Sequence, residues 1–504
     1  MSTSDRVAVI GNGPVGQTTA LLLARWGVPT VLLDRRPARD LIGSKAICQQ
    51  RDVLDIWSSI GAGARIAAEG VTWTTARTFH QDHELFSYTF TESGRPAFPP
   101  FVNISQSRTE EILDALVAEQ PLIDVRWGQP VVKISSKADG VRLTCADGGV
   151  VEAAYAVLCA GSRADDLRSM LGVEFPGRSF DDRFLICDIR ADLPGWATER
   201  RFYFDPSWNP GRQVLVHPCP DSTFRIDWQV PDDYEESPAE LDTRIRQIIG
   251  DRPYEIVWKS VYRFQSRCAD RLRVGRVLLA GDSAHLYSPF GARGLNSGVA
   301  DAENAAWKLA FVLRGWARSA DALLESYHVE RHAAGLENLA VTTATMDFLV
   351  PQSPAAAAHR RDVLARAAAD PSARELVDSG RLAEPFWYVD SPLTTPSAAH
   401  PFSGRPARGA VPAPGPGVLV PDGPVAGGRR VREVAREGFT LLVAPGTVVE
   451  GAFPVTLRII EASPDLVRAL SMRAGEVWVL RPDAYVAGVV PVDEVGSVLR
   501  RALG

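Results

Sequence analysis

The tightest constraint on the fold lies near the N-terminus. Arg6-Val7-Ala8-Val9-Ile10 is a short apolar run that ends in Gly11-Asn12-Gly13-Pro14-Val15-Gly16. That pattern predicts a buried parallel strand followed by a GxGxxG turn. Gln17 to Trp26 predict a helix that stops at Gly27, and Val28 to Asp34 predict a second strand. A βαβ unit of about 30 residues built this way can hold a dinucleotide. Gly11 permits the turn out of the strand. Gly13 lets the backbone approach a pyrophosphate, and Gly16 lets the helix pack on the strand, with the helix N-terminus facing the anion. A carboxylate at Asp34 can accept hydrogen bonds from both ribose hydroxyls of an adenosine. Gly11, Gly13, Pro14, Val15, Gly16, Asp34 and the adjoining Arg35 are therefore expected to bind the cofactor. The unit alone does not choose between NAD and FAD.

A second signature lies far down the chain. Arg276 to Ala280 read as another buried strand, followed by Gly281-Asp282-Ser283-Ala284-His285. The loop Leu286 to Gly298 contains Pro289, Phe290, Gly291, Arg293, Gly294, Leu295 and Asn296, and a long helix is expected from about Val299 to Arg314. An acid at a strand end, a Gly/Pro loop and a helix start suit a polyol joined to a ring system. Asp282 can hold ribityl hydroxyls. The amides of Leu295 and Asn296 can stabilise negative charge on a reduced flavin.

With these pieces in place, the sequence resembles the single-component (group A) FAD-dependent aromatic hydroxylases of the p-hydroxybenzoate hydroxylase fold. It resembles most the branch typified by 3-(3-hydroxyphenyl)propionate and phenol hydroxylases. The resemblance rests on GNGPVG with Asp34, SKAICQQRDVLDIW at 44–57, NISQSRTEEIL at 103–113, the strand end at 157–161, and RVLLAGDSAH with PFGARGLNSG and DAENAAWKL. It implies FAD as cofactor, with Asp282 on the ribityl chain, Pro289 beside the ring, and Gly281 and Gly294 among the cofactor-binding residues. It also implies Gln106 near the ribityl side and Lys45 near the ring or pyrophosphate, where the family more often has Arg. NAD(P)H would reduce the flavin, O2 would add to give a flavin hydroperoxide, and one oxygen would pass to a phenolic ring. His285, just after the GDSA turn, reads as a packed structural residue.

The chain departs from the family at one motif. The family's strand end there carries Asp-Gly, a small residue, Arg and Ser. This chain has Cys159-Ala160-Gly161-Ser162-Arg163, so Gly161 survives and the acid does not. Either Asp165 or Asp166 compensates or the acid is dispensable, or else reduction is slow or tied to a particular substrate.

The fold class implied is α/β. A Rossmann-like FAD-binding domain (1–72, 101–175 and 265–350) is interleaved with a β-rich substrate domain (73–100 and 176–264). A helical segment and Pro/Gly-rich linker (351–428) lead to a thioredoxin-like domain (429–504). That last domain contains no cysteine, so packing or a homodimer contact is the role left to it. Arg201 to Phe204, Gln213 to His217 and Phe224 to Val230 alternate with period two. One face of such a sheet can wall a substrate pocket, with Arg225, Asp227 and Gln229 opposite Ile226, Trp228 and Val230. Tyr203, His217, Asp227, Gln229 and Tyr262 are candidates for substrate contact. The reaction wants a group that takes the phenol proton, and an unperturbed histidine such as His217 suits it. Arg293 either binds an acidic substrate group or braces its loop.

Composition narrows the remaining choices. Charged residues are 23% and hydrophobic ones 45%, the balance of a globular protein. Net charge is −6, which supplies no basic surface for nucleic acid. No apolar run reaches the roughly 18 residues of a membrane span. Six cysteines form no CxxC pair. With no signal-like N-terminus, a reducing cytoplasm is the expected compartment. The expected partners are a small aromatic substrate and O2. Two other functions fit the same motifs. One is epoxidation, Baeyer–Villiger or ring-modifying oxidation of a polycyclic natural product. The other is flavin binding with poor turnover.

Overall fold

The structure is a computed structural model that describes residues 5–39, 46–89, 96–235, 237–406, 411–451 and 453–504. The expectation for Lys45 lies outside these residues. Val7–Ile10 sits inside a six-stranded sheet, flanked by Tyr155–Leu158 and Thr30–Leu33, both parallel to it. Val277–Leu279 and Ile123–Arg126 extend the sheet on the two sides, and Arg273–Val274 closes one edge antiparallel. All four residues of each of the three inner strands are buried, which is why they read as unbroken apolar runs. The helices Pro14–Arg25, Gln106–Ala118 and Arg293–Leu313 pack together against it. Ser105 caps the second of these by accepting from the Arg108 amide at 3.2 Å.

The helix expected from Val299 begins six residues earlier, at Arg293. Ala292, left-handed at φ 56°, ends the preceding loop, so Gly294, Leu295 and Asn296 form the first turn. Gly298 sits where this helix passes the phosphate loop. A Cβ there would come within 2.6 Å of Val15 Cγ2 and 3.1 Å of Gly281 Cα. Gly298, which looks like a loop residue in the sequence, thus serves a close helix–loop crossing.

The two insertions share one eight-stranded sheet. Its order is His285–Leu286, Tyr254–Cys268, Gly177–Ala191, Thr223–Val230, Gln213–Cys219, Glu199–Phe204, Thr75–His80 and His83–Thr89. Every neighbouring pair is antiparallel except Glu199–Phe204 with Thr75–His80, the pair that joins the insertions. One face is apolar. Ile226, Trp228 and Val230 pack there with Leu185, Val214 and Val216 under the helix Pro238–Ile249, through Leu241, Ile245 and Ile249. The opposite face carries Arg200, His217, Arg225, Asp227 and Gln229.

Residues 391–428 lack long elements but run along the C-terminal unit. The Thr395 amide donates to the Ala487 carbonyl, and Leu419 bridges to Tyr485. That unit is a mixed sheet ordered Arg458–Glu461, Thr440–Val443, Glu476–Leu480 and Val486–Pro491, backed by the helix Val495–Ala502. Arginines bind it to the rest of the chain. Arg432 reaches Asp52 and Asp55 at 2.8 and 2.9 Å, and Arg436 reaches Glu303 at 2.6 Å. Trp307 Nε1 donates to Asp483 at 3.1 Å. No helix among the described residues is long and apolar enough to cross a membrane.

Candidate active site

The first loop is shaped around absent side chains. A Cβ on Gly11 would meet the Cys159 carbonyl oxygen at 2.2 Å, and one on Gly16 would meet the Gly11 carbonyl oxygen at 1.8 Å. Gly13 differs, because a Cβ there meets nothing within 4 Å. Two glycines therefore allow close packing, and the third leaves open space beside the first turn of the helix. Gly294, at the second helix start, has the same open surroundings, as does Gly161. This donor set fits a dinucleotide: two helix N-termini with exposed amides and room beside them.

Asp34 sits where the second strand ends. Its Oδ2 accepts from the Asn12 amide at 2.8 Å, and its Oδ1 from the Arg36 amide at 2.8 Å. The Arg36 guanidinium adds contacts at 2.9 and 3.0 Å. Burial opposes charge on Asp34, but Arg36 and the two amides outweigh it and hold the carboxyl below its ordinary range. Arg35 is exposed. Arg36 and Arg39 both donate to the Asn12 carbonyl, at 3.1 and 2.8 Å, and Arg39 continues to Glu110 at 2.7 Å. Sequence reasoning missed both arginines, because only the tertiary fold brings the loop and the helix Gln106–Ala118 together. Gln106 itself accepts from the Ala46 amide at 3.2 Å and donates to Glu110 at 2.8 Å.

At the second loop, Asn296 ties the helix start to the strand Cys48–Gln50. Its Nδ2 donates to the Cys48 and Ala292 carbonyls at 2.9 and 2.6 Å, and its Oδ1 accepts from the Gln50 amide at 3.0 Å. Leu295 is half-buried, whereas Pro289 and Asp282 are exposed. The Gly281 amide donates to Asp301 at 2.9 Å. Asp301 also holds His285 Nε2 at 2.7 Å and Arg331 Nε at 2.6 Å. Burial would raise the Asp301 carboxyl, but His285 and Arg331 bring it down to about 2. His285 is fully buried in this cluster and stacks on Tyr287, a structural placement.

Arg293 is 3% exposed, and its guanidinium donates to Asn338 Oδ1 at 2.5 Å and to the Arg381 and Leu382 carbonyls. Those contacts brace the loop. Ala160 borders the first loop, since a Gly11 Cβ would come within 2.9 Å of its Cα. Asp165 does not turn toward that loop. It accepts from Arg168 at 2.6 Å, and Arg168 in turn donates to the Ser283 carbonyl.

The substrate candidates separate by sheet face. Strand pairing sets His217 opposite Arg225, and Arg225 opposite Asp188. Ile186 lies opposite Asp227, and Phe184 opposite both Gln229 and Tyr262. His217, Asp227, Gln229 and Tyr262 therefore share the inner face. Tyr203 is on the other one, stacked on Phe79 with ring centroids 4.5 Å apart and edge-on to Trp208. It is not brought together with the other four.

The electrostatics reorder the inner-face candidates. Burial, then Arg200 and Arg225, drive His217 well below its ordinary pKa, so it is a neutral imidazole at physiological pH. Burial raises Asp227 to about 7 despite Arg225, and its buried Oδ1 has no hydrogen-bond partner. Arg225 is committed to Asp188 at 2.7 and 2.8 Å. Gln229 donates to Asp182 at 2.7 Å. Asp188 escaped the sequence reading because its importance depends on strand register. Phe184, Phe202, Phe264 and Phe290 pack together at the same face.

Two helix starts with open space beside a glycine suit a dinucleotide-binding enzyme, and the relatives of this chain include flavin-dependent monooxygenases and hydroxylases. The family described as "FAD binding domain" matches residues 5–342, and the chain belongs to it, with the group A aromatic hydroxylases. The "3-(3-hydroxy-phenyl)propionate/3-hydroxycinnamic acid hydroxylase" of Mycobacterium sp. (strain JLS) is 30% identical over 404 residues, covering 80% of this chain and 70% of its own. The "Dialkyldecalin synthase" of Streptomyces rugosporus is 33% identical over 362 residues, 68% of this chain and 72% of its own. The crystal structure of the flavin-dependent monooxygenase PieE in complex with FAD and substrate shares the fold. Its TM-score is 0.84 at 22% identity, over 99% of this chain and 98% of that one.

Proposed function

We propose that the chain inserts one oxygen atom from O2 into an electron-rich aromatic substrate, with NAD(P)H as reductant. FAD, held by Gly11, Gly13, Gly16 and Asp34 and by the loop from Gly281 to Asn296, supplies the oxygen-activating chemistry that side chains lack. The observation that carries the reading is Asp227. A carboxyl raised to about 7, with an unpartnered oxygen on the inner face, is poised to take a phenol proton near neutral pH. The phenolate so formed is the better nucleophile. Neutral His217 can hydrogen-bond the same oxygen without competing for the proton. The phenylalanine wall keeps water away from the reacting centre. The N-terminus of the helix Arg293–Leu313 favours negative charge beside it.

The C-terminal unit, by strand order, supports a thioredoxin-like reading with a packing role. A second functional reading has Ala160 behind it, since an alanine stands where the resemblance places an acid. In that reading the chain binds flavin with little turnover. Anaerobic reduction of the flavoprotein by NADPH and NADH, with and without a panel of phenols, decides between them. Bleaching accelerated by a phenol, with a product heavier by one oxygen, supports hydroxylation. No bleaching under any condition, with flavin bound, overturns it.

A further inference from the structure

A cavity open to solvent lies beyond Asp227 at the far end of the same sheet face. Its volume is about 420 Å³, between Gln229, the end of the helix Ala320–Leu349 and the helix Pro354–Ala369. Gln229 and Asp227 are two positions apart on one strand, so their side chains stand on the same face about 7 Å apart. Gln229 is thus the residue that the cavity shares with the candidate substrate wall.

Its lining is built for a charged guest. Gln229 and Arg360 are each 6% exposed, yet Gln229 Oε1 and Arg360 Nε have no hydrogen-bond partner. Buried polar atoms left unmatched in this way are rare and point to a missing partner. Arg360 Nη2 is fixed by Asp205 at 2.7 Å, and Asp182 accepts from Gln229 and from Gln352. Arg212 and Arg361 also line the cavity, and among the described residues neither guanidinium has an acid or hydrogen-bond partner. Three arginines against two aspartates leave a net positive wall.

We infer that the substrate is an extended molecule whose distal part fills this cavity and ends in an anionic group. Arg212 and Arg361 hold that group, and Gln229 and Arg360 Nε hydrogen-bond the arm that leads to it. The inference rests on the hydroxylase reading for the position of the reacting ring. The size of the cavity matters, since it equals that of a whole pocket for a drug-sized ligand rather than room for a short side chain.

The test uses phenol, 4′-hydroxybiphenyl-4-carboxylate, 4-(4-hydroxyphenoxy)benzoate and the methyl esters of the two acids. Binding to the FAD-loaded protein is read from changes in the flavin absorption spectrum, which needs no turnover. At least one acid should bind about ten-fold or more tighter than its ester and than phenol. In the R212A/R361A variant the acid-to-ester ratio should fall to about one, and R212K/R361K should restore most of it. Equal binding of acids, esters and phenol, or a ratio that survives R212A/R361A, overturns the inference. Selective acid binding with no NAD(P)H oxidation would sink the hydroxylase reading and leave the anion site standing.

Discussion

Arg481 and Glu330 meet as a two-pronged ion pair, Nη1 to Oε1 at 2.6 Å and Nη2 to Oε2 at 2.9 Å, with neither side chain exposed. They come from the C-terminal unit and from the helix Ala320–Leu349. Lys308 Nζ adds a third contact to Glu330 at 2.7 Å, and Asp483 balances Arg481. Removing one member of such a group strands a buried charge. Glu330→Ala should cost about 3–5 kcal/mol, read as a lowered midpoint in denaturant unfolding. Burial pushes the Glu330 carboxyl up, but Arg481 and Lys308 overcome it and hold the group far below its ordinary range. A depressed folded pKa stabilises above the unfolded value of about 4.3, and that stability drains away as pH falls toward the folded one. Glu330→Gln should therefore flatten the acid limb of the stability profile.

Asp227 makes the opposite prediction. Its folded pKa is raised to about 7, so its stabilising contribution is complete below the unfolded value of about 3.9 and is lost as pH rises through about 7. The thermal midpoint of Asp227→Asn should fall less than that of the parent between pH 6 and pH 8. As the proton acceptor, the same change should lower kcat about 100- to 10,000-fold and erase a limb near pH 7 from the pH–rate profile. A profile that keeps this limb in Asp227→Asn would transfer the role to another group.

Gly16 and Gly13 of the first loop should fail in different ways. Gly16→Ala drives a methyl into the Gly11 carbonyl and should destabilise the apoprotein by about 1–3 kcal/mol or more. Gly13→Ala meets no protein atom, so the apoprotein should melt as the parent does. Its FAD affinity, titrated by flavin fluorescence, should fall about ten-fold or more.

Tyr203 faces away from Asp227, against Phe79 and Trp208. Tyr203→Phe should leave kcat/KM within about two-fold of the parent for any turned-over phenol. A larger loss would mean that the outer face of the sheet takes part.

The dinucleotide unit was legible because its chemistry is local: strand, three spaced glycines, helix and acid lie in one continuous stretch. The strands Glu199–Phe204 and Thr223–Val230 were legible from alternation. Which face looked inward was harder to read, because the helix Pro238–Ile249 covers one side and both are largely buried. Tyr203 joined the candidates for that reason. His217 looked like the better base from its ordinary pKa, and only the fold sets Arg200 and Arg225 beside it. The start of the helix at Arg293 was hidden by Gly294 and Gly298, which read as breakers, although Gly298 in fact packs against Val15 and Gly281.

The helix Arg293–Leu313 gives the C-terminal unit a bearing on the candidate site. The near end of that rod is pinned by Asn296 to the strand Cys48–Gln50, and its far half is gripped by the C-terminal unit through Glu303 and Trp307. A unit with no thiol of its own thereby acts as a foundation. Loosening it would let the rod tilt, and the loop at the other end would lose its aim without a single residue near the flavin having changed.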